Sequence, residues 1–382
     1  MTVVCDIRDL QKLARRRVPR MFYDYVDGGS WSESTYRANQ ADFSAIGLRQ
    51  RVGIDIADRS LAAEMIGQPV NMPVALAPVG LVGMQHPDGE ILAARAAQKF
   101  GVPFVLSTMS ICSIEDIAEH TGESFWFQLY VMRDRNFVKR LIDRAKDAGC
   151  SALVLTLDLQ ILAQRHKDLR NGLSAPPRLA TPATLMQLLA RPGWCMKMLK
   201  TRRHTFRNII GHVSGVADIG SLTAWTTAQF DPTLTWRDID WIRERWGGKL
   251  ILKGILDPED ARTAARSGAD AIVVSNHGGR QLDGARSAIG ALPEIVDAVG
   301  SDIEVHFDGG IRSGQDVLKA ICLGAKATYI GRAYVYGLGA RGEAGVNQAL
   351  DIIYRELDST MALCGERLLE NLGRHNLLPP QT

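Results

Sequence analysis

In this 382-residue chain, the groups able to do chemistry recur at the ends of short apolar runs. Ser107 closes one run, Gln128 and Tyr130 another, and Thr156 and Asp158 a third. Lys253 comes next, then Ser275-Asn276-His277-Gly278-Gly279-Arg280, Asp308-Gly309-Gly310-Ile311-Arg312 and Gly331-Arg332. A lone histidine or lysine in such a place is commonly structural. A whole series of runs ending in ionisable or hydrogen-bonding groups points instead to a catalytic site assembled from many segments. The last two segments add glycines next to arginine. That composition suits a phosphate, because glycine lets backbone N–H groups approach closely and a guanidinium can bind in a bidentate manner.

These residues need a frame that brings strand ends together. The runs are 70–80, 103–108, 124–131, 152–158, 249–254, 271–276, 304–310 and 327–332, and they are continuously apolar, as expected for parallel strands covered on both faces. Helical patterns lie between them, and several stop at a glycine (Gly101, Gly149, Gly268, Gly324) placed to cap a helix. The reading is an α/β fold, a (β/α)₈ TIM barrel with an N-terminal helical layer (1–65) and a barrel at 66–340. A C-terminal helix and tail (341–382) follow. On pattern alone a doubly wound open sheet is also compatible. About 90 residues separate Asp158 from Lys249, so a long insertion after the fourth strand is expected, spanning 171–225.

The six cysteines are scattered without a CxxC pair, so neither a metal site nor a disulfide framework is expected. The N-terminal residues offer no apolar stretch fit for a signal peptide, and no run is long enough to span a membrane. The net charge of +3 hides an asymmetry. Residues 171–217 carry seven Lys/Arg and no Asp or Glu, which leaves 38 basic against 42 acidic residues elsewhere. No GxGxxG follows a first strand, which disfavours a nicotinamide cofactor.

The segments SNHGGRQLDGA (275–285), DGGIRSGQDVLKA (308–320) and FQLYV (127–131) resemble the FMN-dependent L-2-hydroxy acid oxidase and dehydrogenase family. The resemblance runs from YDYVDGG (23–29) to IGRAYVYGL (330–338), and it is strongest to the bacterial respiratory L-lactate dehydrogenases. It implies that His277 is the base that accepts the substrate proton and that Asp158 is its charge partner. It implies that Arg280 clamps the substrate carboxylate, that Arg165 supports it, and that Tyr25 and Tyr130 bind substrate through their hydroxyls. The FMN positions implied are Val79 and Gly80, then Ser107, Gln128 and Thr156 at the ring, and Lys253 at its N1/O2 edge. Ser275, Asp308, Gly309, Gly310, Arg312, Gly331 and Arg332 complete the set, the last residues holding ribityl chain and phosphate. At Arg165 this chain departs from the family's DxPxxGxR, with Gln160 for Pro and Ala163 for Gly.

The implied reaction is oxidation of L-lactate to pyruvate, electrons passing to an external quinone or cytochrome. The alternatives are an oxidase producing hydrogen peroxide and a dehydrogenase of another 2-hydroxy acid such as mandelate or glycolate. Met109 stands where glycolate oxidase has tryptophan, leaving room for a methyl group. Gly80 matches a position that is glycine in several dehydrogenases and alanine in many oxidases. The basic segment 171–217 mixes its charges with Leu185, Met186, Leu189, Trp194 and Met196, a composition suited to an anionic lipid surface. Peripheral attachment on the cytoplasmic side of the inner membrane is therefore expected, with an otherwise cytoplasmic location. No nucleic-acid partner is expected, and the family implies a homo-oligomer, often a tetramer.

Overall fold

In the computed structural model, residues 3–173, 182–213, 225 and 228–379 are described. Two short strands, β1 (Ala63–Met65) and β2 (Gln68–Val70), form an antiparallel hairpin. The eight predicted runs then become eight strands: β3 (Val74–Leu76), β4 (Val105–Ser107), β5 (Trp126–Tyr130), β6 (Ala152–Thr156), β7 (Lys249–Ile255), β8 (Ala271–Val274), β9 (Glu304–Asp308) and β10 (Ala327–Ile330). All their pairings are parallel, in the order β3-β10-β9-β8-β7-β6-β5-β4. A parallel bridge between Leu76 and Phe104 joins β3 to β4, so the sheet closes on itself as a (β/α)₈ barrel.

The continuous apolar runs resolve into two buried faces. Ala75, Val105, Trp126, Val154, Ile251 and Tyr329 fill the barrel interior, while Leu76, Leu106, Phe127, Leu153, Leu252 and Phe307 face the helical layer. Amphipathic helices cover that outer face, among them Gly89–Phe100, Arg135–Asp147, Pro258–Arg266 and Gly314–Cys322. Gly101 and Gly149 end two of them with φ of +77° and +72°, as their positions predicted. The register sets the site. Ser107 lies beside Gln128, and Tyr130, Thr156 and Lys253 fall in one row across β5, β6 and β7.

The N-terminal layer is helical only as far as Ala45, through Ile7–Arg17, Arg20–Asp27 and Ser34–Ala45. The β1–β2 hairpin closes the bottom of the barrel instead of extending the helical layer. Met65, Ile66 and Val70 join the interior cluster, Trp126 Nε1 donates to Gln68 at 2.8 Å, and Ile66 N–H donates to Glu304 at 3.1 Å. The described part of the insertion carries the helices Pro182–Leu189 and Pro192–Met198. It is pinned to the barrel. Trp194 stacks on Phe22 and donates to the Met84 carbonyl at 3.0 Å, and Arg203 pairs with Asp88 and Asp116, both at 3.0 Å. Arg207 also pairs with Asp116. Two of the seven basic charges are thus anchors, and Arg178 lies outside the described residues. Among the described residues, no helix is long and apolar enough to cross a membrane.

Candidate active site

A cavity of about 560 Å³ opens at the C-terminal ends of the strands, a size suited to a bound small molecule. Val79, Gly80, Ser107, Thr156, Lys253, Asp308, Gly309, Gly310, Arg312, Gly331 and Arg332 all line it, as do Tyr25, Tyr130, Arg165, His277 and Arg280. Gln128 and Ser275 stand behind this wall and act through their neighbours. Gln128 accepts from Ser107 Oγ at 3.2 Å and donates to Thr156 Oγ1 at 3.0 Å, fixing both hydroxyls. Ser275 Oγ accepts from Lys253 at 2.8 Å and donates to Asp308 at 2.9 Å.

His277 sits on a loop that a sterically ordinary residue would avoid. Its φ is +59°, and Gly278 and Gly279 follow at +67° and +70°, a left-handed run that costs about 1–2 kcal/mol at the histidine. Neighbours hold it there. The His277 N–H donates to Ser275 Oγ at 3.1 Å, and Asn276 exchanges two 2.8 Å hydrogen bonds with Asn39. The turn aims the imidazole at Asp158, with Nδ1 and Oδ1 2.7 Å apart.

Burial pushes the Asp158 carboxyl up, but the charges of His277 and Lys253 and the His277 hydrogen bond outweigh it, so it lies below its ordinary value and stays ionised. Burial pulls the His277 imidazole below its ordinary value against the upward pull of Asp158. The resting pair is therefore a carboxylate and a neutral imidazole. Nδ1–H donates to Asp158, and Nε2 is left with a lone pair for a proton.

Two guanidiniums flank this base. Arg280 donates to the carbonyls of Gly28 (2.9 Å) and Tyr25 and lies 4.7 Å from the Tyr25 ring centre. Arg165 donates to the Arg280 carbonyl at 3.3 Å, so the altered sequence before it still delivers its side chain to the cavity. Burial, then the charge of Arg280, pull Arg165 down to about 10. Among the described residues no carboxylate forms an ion pair with either arginine. Asp168, buried in the same wall, supplies one negative charge against the two guanidiniums, which leaves an excess positive charge that favours an anion, and a carboxylate matches the plane of a guanidinium. Burial raises the Tyr130 hydroxyl far above its ordinary value, so it remains a donor.

At the opposite end, the helix Arg332–Arg341 begins at Gly331 with no side-chain cap, and Gly331 and Arg332 at its start line the cavity. Arg332 is half-buried, its hydrogen bonds among the described residues go to the carbonyls of Val26, Gly28 and Gly278, and loss of solvent pulls it below its ordinary value. Gly310, at φ +92°, admits no side chain, because a Cβ there would fall 1.9 Å from the Asn39 carbonyl oxygen. An uncapped helix start, a bare glycine turn and two guanidiniums are groups suited to a phosphate. Between the two ends, Lys253 is 4 % exposed and pairs with Asp308 at 2.6 Å.

Sequence reasoning gave no role to His204, which lines the cavity, or to Asn39, whose lock on Asn276 joins positions 237 residues apart. Asn208 was also missed: it donates to Ser110 Oγ at 3.0 Å and accepts from Ile114 N–H, tying the insertion to the β4 loop.

Groups suited to a phosphate, a histidine–carboxylate pair and two guanidiniums meet across one barrel mouth, the arrangement of a barrel-type enzyme. The chain belongs to the FMN-dependent dehydrogenase family, whose profile matches residues 14–379, and its cofactor is FMN. It is 46% identical to an L-lactate dehydrogenase of Caulobacter sp. strain K31, covering 97% of this chain and 98% of that one. It is 45% identical to an L-lactate dehydrogenase of Pseudomonas syringae pv. syringae, with 97% of each covered. The solved structure of the monotopic membrane protein (S)-mandelate dehydrogenase superposes with a TM-score of 0.93 at 35% identity, covering 99% of this chain and all of that one.

Proposed function

We propose that this enzyme oxidises L-lactate to pyruvate. The observation that carries the reading is the His277–Asp158 pair beside the guanidiniums of Arg280 and Arg165 in one cavity. Arg280, supported by Arg165, binds the substrate carboxylate, and the hydroxyls of Tyr25 and Tyr130 hold the substrate in place. His277 Nε2 takes the substrate proton, and Asp158 stabilises the imidazolium that results.

Arg312, Arg332, Gly310 and Gly331 would hold the FMN phosphate, and Asp308 and Gly309 the ribityl chain. Ser107 and Thr156, backed by Gln128, would bind the ring together with Val79 and Gly80. Lys253, oriented by Ser275, serves the edge where negative charge develops. When bound, FMN supplies the acceptor for the substrate's two electrons.

Lactate is favoured among 2-hydroxy acids because the full-length relatives at 45–46% identity carry that name and because Met109 lines the cavity with a flexible thioether. Electrons then pass to an external quinone or cytochrome. The exposed Leu185, Met186, Leu189, Met196 and Leu199 support peripheral contact with the cytoplasmic face of the inner membrane.

The test is anaerobic bleaching of the holoprotein by L-lactate, D-lactate, glycolate and L-mandelate in turn, followed by air. Bleaching by L-lactate with slow return of the yellow colour is expected. Fast return with peroxide would make the enzyme an oxidase, and bleaching by another acid alone would replace lactate.

A further inference from the structure

A second cavity, of about 310 Å³, lies away from the barrel mouth and shares no lining residue with the active site. Its walls come from the last turn of the helix Ile7–Arg17, the Gln85–Pro87 turn and the 190–193 junction of the insertion's two helices. Arg16, Arg17, His86, Arg191 and Lys197 line it, and no carboxylate does. The nearby Asp88 is already occupied by Thr201 (2.7 Å) and Arg203 (3.0 Å). Lys197 Nζ lies 3.4 Å from His86 Nε2. Arg191 spends its two Nη groups on the carbonyls of Ala190 (3.0 Å) and Arg15 (3.4 Å), yet its Nε is buried without a hydrogen-bond partner among the described residues. Cationic side chains from separate elements around one cavity, with no carboxylate in its lining, suit an anion.

We propose that this cavity recognises a phosphate group, that of an anionic phospholipid headgroup. The commitment to lipid follows from its position. Part of its wall comes from the 190–197 stretch of the insertion, whose helices also carry the exposed Leu189 (70%) and Met196 (61%), so the basic cavity and the apolar side chains belong to the same segment. Acyl chains of a lipid held here by its phosphate would cover those side chains, and a soluble phosphate would leave them in water. The proposal rests on the peripheral membrane contact set out above and adds to it a defined headgroup site.

The experiment measures partition of the holoprotein onto phosphatidylcholine vesicles with and without phosphatidylglycerol. It uses two doubly substituted variants, Arg16→Gln/Lys197→Gln in the cavity and Lys200→Gln/Arg202→Gln in the same basic segment outside it. Intact FMN content and unchanged flavin reduction by L-lactate certify the fold of each. Each basic charge near an anionic surface is worth roughly fivefold in partition. Either pair is therefore expected to lose up to roughly 25-fold on phosphatidylglycerol vesicles through charge alone, and the cavity pair roughly a further tenfold through its lost headgroup contact.

Equal losses for the two pairs would overturn the headgroup site while leaving membrane contact intact. Failure of the unsubstituted enzyme to bind either vesicle would overturn both. Calorimetric titration with inorganic phosphate separates the sources. Weak binding that vesicles displace supports the lipid, and tight binding that vesicles do not displace contradicts it.

Discussion

The barrel mouth and the insertion both concentrate charge, and they use it in opposite ways. At the mouth, largely buried charges are held in pairs, Asp158 with His277 at 2.7 Å and Lys253 with Asp308 at 2.6 Å, and Ser275 braces the second pair at 2.8 and 2.9 Å. In the insertion, Arg203 and Arg207 face carboxylates that fasten the segment down, while the apolar side chains beside them stay in solvent. Desolvated charge next to the reacting atoms is worth more than the same charge in water, because the local dielectric is low. Exposed apolar surface has no such use in an isolated molecule. On the function proposed above the first region serves chemistry and the second location, so substitutions in each should leave the other's readout untouched.

The largest break should come at Arg280. Arg280→Leu should lower kcat/KM for L-lactate about 10³-fold with FMN retained, since losing one partner of a desolvated charge contact costs roughly 2–5 kcal/mol. A loss of FMN in place of substrate affinity would move Arg280 into the cofactor cradle. Asp158→Asn should cost roughly 10²-fold at neutral pH and also shift the pH profile.

The sign of that shift follows from the charges. The base works unprotonated, so activity rises with pH through the His277 pKa, which burial places below its ordinary value. Asp158 pulls that pKa up, so removing its charge must move the acid limb to lower pH as the plateau falls. A limb that moves to higher pH would contradict the pairing.

Gly80→Ala is a finer probe. A Cβ there would meet Tyr25 Oη at 3.0 Å and the Met109 carbonyl oxygen at 3.2 Å, so the substrate wall must shift by a few tenths of an ångström. About a tenfold loss of kcat/KM is expected, against the ~10²-fold that a full 1 Å misplacement brings. Smallest at the active site is Leu189→Ser/Met196→Ser. Flavin reduction should be unchanged, and vesicle partition should fall about tenfold through lost apolar burial. A defect in flavin reduction there would erase the division between the two regions.

The two regions also differed in how much of them could be read in the sequence. The barrel was legible because parallel strands buried on both faces leave uninterrupted apolar runs, and because glycines such as Gly101 and Gly149 mark the helix ends. The site was legible because its chemistry sits on strand ends, where register alone brings Tyr130, Thr156 and Lys253 into one row. The β1–β2 hairpin was not legible, since three-residue strands carry no measurable alternation. Nor were the Asn39–Asn276 lock or the pairing of Arg203 with Asp88 and Asp116. Such contacts depend on distant residues meeting only after the chain has folded, and a run of basic residues reads the same in sequence whether paired or free.

The claim that His277 is the base at the centre of the mouth is tested most directly by His277→Gln in the holoprotein, mixed anaerobically with L-lactate. The account predicts a normal FMN spectrum and bleaching slowed by roughly 10⁴-fold, the upper range for a lost general base. Bleaching at close to the rate of the unsubstituted enzyme would contradict it.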